Sequence, residues 1–315
     1  TLMRSSAASD VYKRQVLLCK EDLVTYYVRA PGTCGEFIQG AIDGQSFLVT
    51  CPINRYSYAL SQVTHPLPHY YCSLQPKSSQ ARNLVKDILH IPSRDNTAIY
   101  IRSDILQGKG MASSSADIAV AAMATALSCN RALTPKELET ICLSVEPTDA
   151  AFYPGITQFD YINGSICNFL GTCPPLKILI FDEGGTIDTI SFNQQKDLSH
   201  KIQEKEPIIR ESLELFKKGL ETHDITLIGQ AATLSAFANQ RILYKPNLYE
   251  FHDIGNAFHS VGTIIAHSGT IMGLLFPSDY TAIDECKRYI EKKLPTLQYI
   301  DIVETTNEGL TYILS

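Results

Sequence analysis

Residues 108–117 read GKGMASSSAD and open into the small, apolar run ADIAVAAMATALS, which ends at Ser128. Glycines carry no Cβ, so the backbone N–H groups around Gly108 and Gly110 can approach an anion closely. The three serines then enter a helix whose first turn has N–H groups without intrahelical partners and a partial positive charge. That combination suits the phosphates of a nucleotide, and a serine hydroxyl in the same turn can ligate Mg2+. A plainer reading is that the serines cap the helix. The stretch is not a Walker A loop, because Lys109 is followed by glycine and the glycine spacing differs. Small residues on several faces of the run predict a helix that sits tightly against neighbouring backbone, central and buried.

Three other stretches carry possible chemistry. In EPTDAAFYPGITQFD (146–160), Glu146 and Asp149 lie three residues apart where Pro147 ends a helix, so both carboxylates can face one cleft. Phosphoryl transfer to a hydroxyl uses a metal ligand and often a carboxylate that accepts the hydroxyl proton. A helix stop followed by a polar turn explains the same residues. AHSGTIMGLLF (266–276) is a strand, a His-Ser-Gly-Thr turn and a second strand, and by itself His267 reads as structural. PGTCGEFIQG (31–40) follows the strand VTYYVRA and reads as a loop. In its plain reading Pro31 and Gly32 turn the chain, Cys34 is buried and Glu36 faces solvent.

Further strands are predicted over 46–53, 55–62, 69–74 and 97–103, with a helix over 80–90. Thr134-Pro135-Lys136-Glu137 is a capping box that starts the next helix. Asn163-Gly164 splits TQFDYI from SICNFL as a hairpin. GTCPPLK (171–177) is the best domain boundary. After it come a strand at 176–182, helices around 197–219, 222–240 and 247–260, the two strands already named, a helix near 279–293, and strands at 297–304 and 310–315. The expected architecture is two-domain α+β: an N-terminal arm over 1–20, a domain over 21–172 and a second over 173–315. The first fifteen residues, TLMRSSAASDVYKRQ, match nothing that follows and read as an arm or a translated adapter.

With 44% hydrophobic and 19% charged residues, the 315-residue chain has the composition of an ordinary globular protein. A net charge of −6 argues against a general nucleic-acid binder but allows a small anion such as ATP. Nine cysteines without a C-x-x-C pair predict reduced, mostly buried thiols and a cytoplasmic protein. No apolar run reaches membrane-spanning length. No zinc motif, hydrolase elbow or nucleic-acid platform is present.

Taken in order, APGTCGEFIQG, GKGMASSSAD, EPTDAAFYPGITQFD and AHSGTIMGLLF resemble the signature segments of the galactokinase–homoserine kinase–mevalonate kinase–phosphomevalonate kinase (GHMP) superfamily. More narrowly they are similar to its L-threonine kinase branch, which makes O-phospho-L-threonine for the aminopropanol arm of cobalamin. The superfamily's phosphate loop has a proline near position 106 or 107 and reads Gly-Leu-Gly-Ser-Ser-Ala; here Met111 and Ala112 replace Leu and the second Gly.

The resemblance implies a domain like the second domain of ribosomal protein S5, a ferredoxin-like C-terminal domain, and an active site between them. It implies ATP and Mg2+ as cofactors. Gly108, Lys109, Gly110, Met111, Ala112, Ser113, Ser114 and Ser115 would wrap the phosphates, with Lys109 also offsetting charge on the transferring group. Ser114 and Glu146 would hold Mg2+, with Glu137 or Glu139 as alternatives to Glu146. Asp149 would be the base. Gly35, Glu36, Arg55, His267, Ser268 and Gly269 would line the acceptor side, Glu36 meeting the ammonium of threonine and Arg55 its carboxylate. The implied partner is a small molecule rather than nucleic acid or membrane, and the chain a monomer or homodimer. Homoserine or another small alcohol as acceptor, and a non-catalytic nucleotide-binding regulator, are the alternatives.

Overall fold

The computed structural model describes residues 26–62, 72–90, 98–185 and 198–314. The expected N-terminal arm lies outside them. Strand β1 (Tyr26–Ile42) turns at Asp43-Gly44 into β2 (Gln45–Gln62). Both turn residues have positive φ, 52° and 75°, the backbone that a two-residue Asp-Gly hairpin turn requires. The chain continues through β3 (Cys72–Ser73), α1 (Pro76–Ile88), β4 (Ala98–Ser103), α2 (Ser113–Ser128), α3 (Pro135–Val145), β5 (Ile156–Phe159), β6 (Cys167–Gly171) and β7 (Leu176–Asp182). Then follow α4 (Leu198–Glu204), α5 (Glu206–Thr222), α6 (Ile225–Ala238), α7 (Leu248–Ala257), β8 (Gly262–Ile265), β9 (Ile271–Pro277), α8 (Ile283–Lys293), β10 (Gln298–Glu304) and β11 (Thr311–Leu314).

The strands form one curled sheet in the order β10-β7-β9-β8-β1-β2-β4-β3, with β11 on β1 and the β5–β6 hairpin on β2. Helix α2 packs on β1, β2 and α1, and every residue from Ser115 to Leu127 is buried. A second apolar cluster lies under α7 and α8, around Phe181, Phe251, Met272 and Ile290. No helix among the described residues is long and apolar enough to cross a membrane. The eight cysteines among them are free thiols, five of them buried.

Three local expectations are corrected. PGTCGEFIQG is not a loop: it is the second half of β1, paired with β2 through register shifts after Pro31, Thr33 and Glu36. Its Pro and Gly mark bulges in a buried strand rather than a turn, because pairing on both sides overrides local turn preference. The strands expected at 46–53 and 55–62 are one strand, β2. The helix expected at 197–219 is two, broken at Lys205. Pro207 lies in the first turn of α5, where its missing N–H is tolerated, and it would clash within a continuous helix. The Asn163-Gly164 hairpin is present, but its turn spans 160–166 and Asp160 accepts N–H bonds from Ile162, Asn163 and Ser165.

The capping box forms as read: Thr134 Oγ1 accepts from Glu137 N, and the Glu137 carboxylate accepts from Thr134 N at 2.8 Å. Thr134→Ala should lower stability by about 1 kcal/mol. Chemical denaturation should show this as a lower midpoint with an unchanged slope.

Candidate active site

The loop between β4 and α2 follows from its glycines. Gly108, Gly110 and Ala112 have φ of 70°, 82° and 57°. The left-handed turn at Ala112 makes it the N-cap of α2, and no side chain caps the helix there. Ala116 N is the first to close on Ala112 O, at 3.0 Å, which leaves the N–H groups of Ser113, Ser114 and Ser115 without intrahelical partners. No acidic side chain lies in that first turn. Capping therefore does not account for the serines. Ser114 Oγ donates to Glu146 Oε1, and Ser115 Oγ lies 3.4 Å from Asp149 Oδ2 while accepting from Asp149 N at 3.3 Å. One turn of α2 thus gathers both carboxylates of the EPTD segment.

Two other segments grip this loop from far along the chain. Thr33 N donates to Met111 O at 3.0 Å, tying β1 to it. The HSGT turn lies against it backbone to backbone: a Cβ on Gly269 would stand 2.2 Å from Lys109 O and 2.5 Å from Gly110 Cα. Buried Lys245 holds the turn from behind, donating to Gly269 O at 2.7 Å. Gly35, at φ +61°, presses equally closely on Ile265 O.

Lys109 points to the end of β7, where its Nζ is 2.5 Å from Asp182 Oδ2. Asp182 is fully buried, and burial alone would raise its carboxyl, but the Lys109 bond holds it below the usual range. Lys109→Met would leave that carboxylate buried without its hydrogen-bonded partner cation. We expect a loss of about 3 kcal/mol in denaturation, most of it recovered when Asp182→Asn is added.

Beside Asp149 lies a group of buried polar residues. Burial raises Asp149 to about 6, with the Glu146 charge adding and the Ser115 bond opposing. Glu36 is 4% exposed and is raised well above the ordinary range by burial and then by Asp149. Tyr161 is raised by burial and by the charges of Asp160, Glu36 and Asp149. Its ring meets that of His267 edge-on at 5.1 Å. Burial, with the nearby Lys205 charge, lowers His267 to about 4, so the imidazole is neutral at pH 7. His267 Nδ1 lies 3.0 Å from Gln39 Oε1, within hydrogen-bonding distance. Thr33 Oγ1, Glu36 Oε2, Gln39 Nε2 and Thr148 Oγ1 are buried without hydrogen-bond partners among the described residues. Buried polar atoms are seldom left so, and this concentration marks a place for a polar ligand.

The structure brings Gly108–Ser115, Glu146, Asp149, Gly35, Glu36 and the 267–269 turn together. It separates the three glutamates: only Glu146 reaches Ser114. Glu137 caps α3 and binds Arg131, and Glu139 binds Lys136 and Tyr153. Arg55 is not gathered with Glu36. Its Nε and Nη2 bind Asp301 Oδ2 of β10 at 2.8 and 2.5 Å. Lys77, which contacts Glu146 from α1, carried no sequence signal. Asp182, Gln39, Tyr161 and Lys205 also went unread. Of these only Asp182 was visible, as a carboxylate ending the apolar strand LKILIFD.

Comparison with known proteins follows the same residues. Residues 79–154, which include the phosphate loop, Glu146 and Asp149, match the family model "GHMP kinases N terminal domain". The L-threonine kinase of Salmonella typhimurium (strain LT2) is 31% identical over 272 residues, 84% of this chain and 88% of that protein. The L-threonine kinase of Citrobacter freundii is 30% identical, over 86% of this chain and 93% of that protein. Among solved structures, homoserine kinase from Cytophaga hutchinsonii superposes with a TM-score of 0.68 at 16% identity, covering 94% of this chain and all of that one. That likeness shows the fold, and the first two relatives narrow the branch. The chain belongs to the GHMP kinases, in the branch of the L-threonine kinases.

Proposed function

We propose that this chain transfers the γ-phosphoryl group of ATP to the side-chain hydroxyl of L-threonine, giving O-phospho-L-threonine and ADP. The observation that carries the reading is the first turn of α2. Unpartnered N–H groups, the Ser114–Glu146 contact and the Ser115–Asp149 contact all meet there. The loop N–H groups and Lys109 bind the phosphates and offset charge on the transferring group. Asp149, deprotonated above about pH 6, takes the proton from the acceptor hydroxyl as its oxygen bonds to phosphorus.

Mg2+ fits the donor set. It favours hard oxygen ligands, one or two from the protein and the rest from phosphates and water. Ser114 Oγ and the Glu146 carboxylate, already in contact, would hold it, and bound there it supplies charge neutralisation between the phosphates. Glu36, buried and with one oxygen unpartnered among the described residues, takes the ammonium of threonine. Gly35 and the 267–269 turn shape the wall beside it. Cobalamin assembly is the product's expected destination, and the cytoplasm the expected compartment.

The test is ADP release with ATP and Mg2+ against L-threonine, L-serine, L-homoserine and mevalonate. Threonine should give the highest kcat/KM. No threonine-dependent release would sink the assignment, and a preference for homoserine would move the acceptor.

A further inference from the structure

Arg55 was expected to meet the carboxylate of an amino-acid acceptor, but Asp301 occupies it. A zwitterion bound beside Glu36 still needs a cation for its other end. We propose that Lys205, together with the side-chain amides of Asn239 and Gln39, binds the carboxylate of the amino-acid acceptor. This rests on the threonine reading above and deepens it.

Lys205 sits at the break between α4 and α5 and is only 6% exposed. Among the described residues the one hydrogen bond of its ammonium is to Asn239 Oδ1, at 2.8 Å, a neutral acceptor. A buried ammonium without a carboxylate is costly, and a lysine so placed either loses its proton or waits for a counter-charge. Burial lowers Lys205 to about 7, in keeping with that vacancy of charge.

The surrounding contacts point Lys205 at the acceptor cluster. The start of α5 lies on β1: Asp43 N donates to Glu206, and a Cβ on Gly40 would stand 2.8 Å from Ile209 Cγ1. Ser235 of α6 receives Gln39 N at 3.0 Å, and Asn239 is four residues on, hence on the same helix face. Lys205 acts electrostatically on His267, which holds Gln39 Oε1 and stacks edge-on with Tyr161. Tyr161 in turn feels Glu36 and Asp149.

The donors left over match a carboxylate. Among the described residues Gln39 Nε2 and Asn239 Nδ2 are buried and unpartnered, and Lys205 has N–H groups beyond the one given to Asn239. A carboxylate accepts about four such bonds. The cluster therefore has the carboxyl groups of Glu36 and Asp149 at one end and the Lys205 amine with two side-chain amides at the other, an arrangement that complements an α-amino acid.

The experiment compares L-threonine with (R)-1-amino-2-propanol, which is L-threonine without its carboxylate, under ATP and Mg2+. The intact protein should prefer threonine by about 100-fold or more in kcat/KM, the usual scale for a buried charge pair. Lys205→Met should lower kcat/KM for threonine by about 100-fold, chiefly through KM, yet change that for the amino alcohol by no more than about threefold. Nucleotide binding by each variant checks folding, and Lys205→Gln, which keeps a donor but no charge, replaces the methionine variant if that fails to fold. An intact protein with no preference for threonine overturns the proposal. So does a folded variant that keeps the preference, or one that loses both acceptors equally. No threonine turnover in the intact protein would remove the threonine reading itself, and this assignment with it.

Discussion

Asp149→Asn should lower kcat by about 100- to 10,000-fold while leaving ATP affinity nearly unchanged. Asparagine keeps the shape and can still meet Ser115, so the loop and α2 stay in place. What it loses is the capacity to accept a proton. The environment of Asp149 suits that proposed capacity: burial and the Glu146 charge raise it from the ordinary carboxylate range to about 6. A base near neutrality combines a useful ionised fraction with a real pull on the hydroxyl proton. The sign of the pH dependence follows. As the proposed base Asp149 would act when deprotonated, so kcat/KM should be full above its value and fall as pH drops through about 6. The asparagine variant should lack that limb. If ADP release with threonine is undiminished in the variant, Asp149 is not the base.

Gly110→Ala should be nearly as damaging, but through nucleotide binding rather than proton transfer. At φ 82° an added methyl is strained, and it would stand 2.5 Å from Ala266 Cβ and 2.8 Å from Gly269 Cα. Neither neighbour is the end of a flexible side chain. The HSGT turn would have to move off the loop, opening the seam that the two glycines close. We expect a loss of about 3 kcal/mol or more, seen as a KM for ATP raised at least 100-fold or as a destabilised protein. Gly108→Ala is the control. Its φ is 70°, but nothing lies within 4 Å of the added Cβ, so only the backbone strain of about 1 kcal/mol remains. Equal effects of the two substitutions in titrations with nucleotide would show that packing against the third segment is unimportant.

The contrast between those glycines shows where sequence reading works. The glycine turn before α2, the buried alanine-rich helix and the Thr134 cap were legible because each is a local matter of backbone freedom and neighbouring donors. PGTCGEFIQG was misread for the same reason. Its glycines serve close approach to Ile265 and Met111, partners distant in the chain, and a local rule reads them as turns. Glu36 and Arg55 illustrate the limit at the site itself. One is buried beside Asp149, the other is taken by Asp301, and nothing within a few residues of either announces the difference. Lys205 was invisible because its meaning comes from the helix break at Pro207 and from Asn239 on another helix. Charge-bearing residues acquire roles from what lies opposite them, which only the assembled sheet and helices define.

The pairing of β11 with β1 bears on synthesis as well as on structure. Tyr26 through Arg29 are bordered on one side by β2, made soon after them, and on the other by residues 311–314. Arg29 also waits for Glu308 and Thr311. During translation, β1 and β2 can therefore pack around α2 early but keep an open strand edge until β11 leaves the ribosome. Such an edge invites pairing with other chains. Closing it joins positions nearly the whole chain apart, a slow step by the general relation between contact separation and folding rate. The nascent chain would thus carry that exposed edge until residues 311–314 have been made.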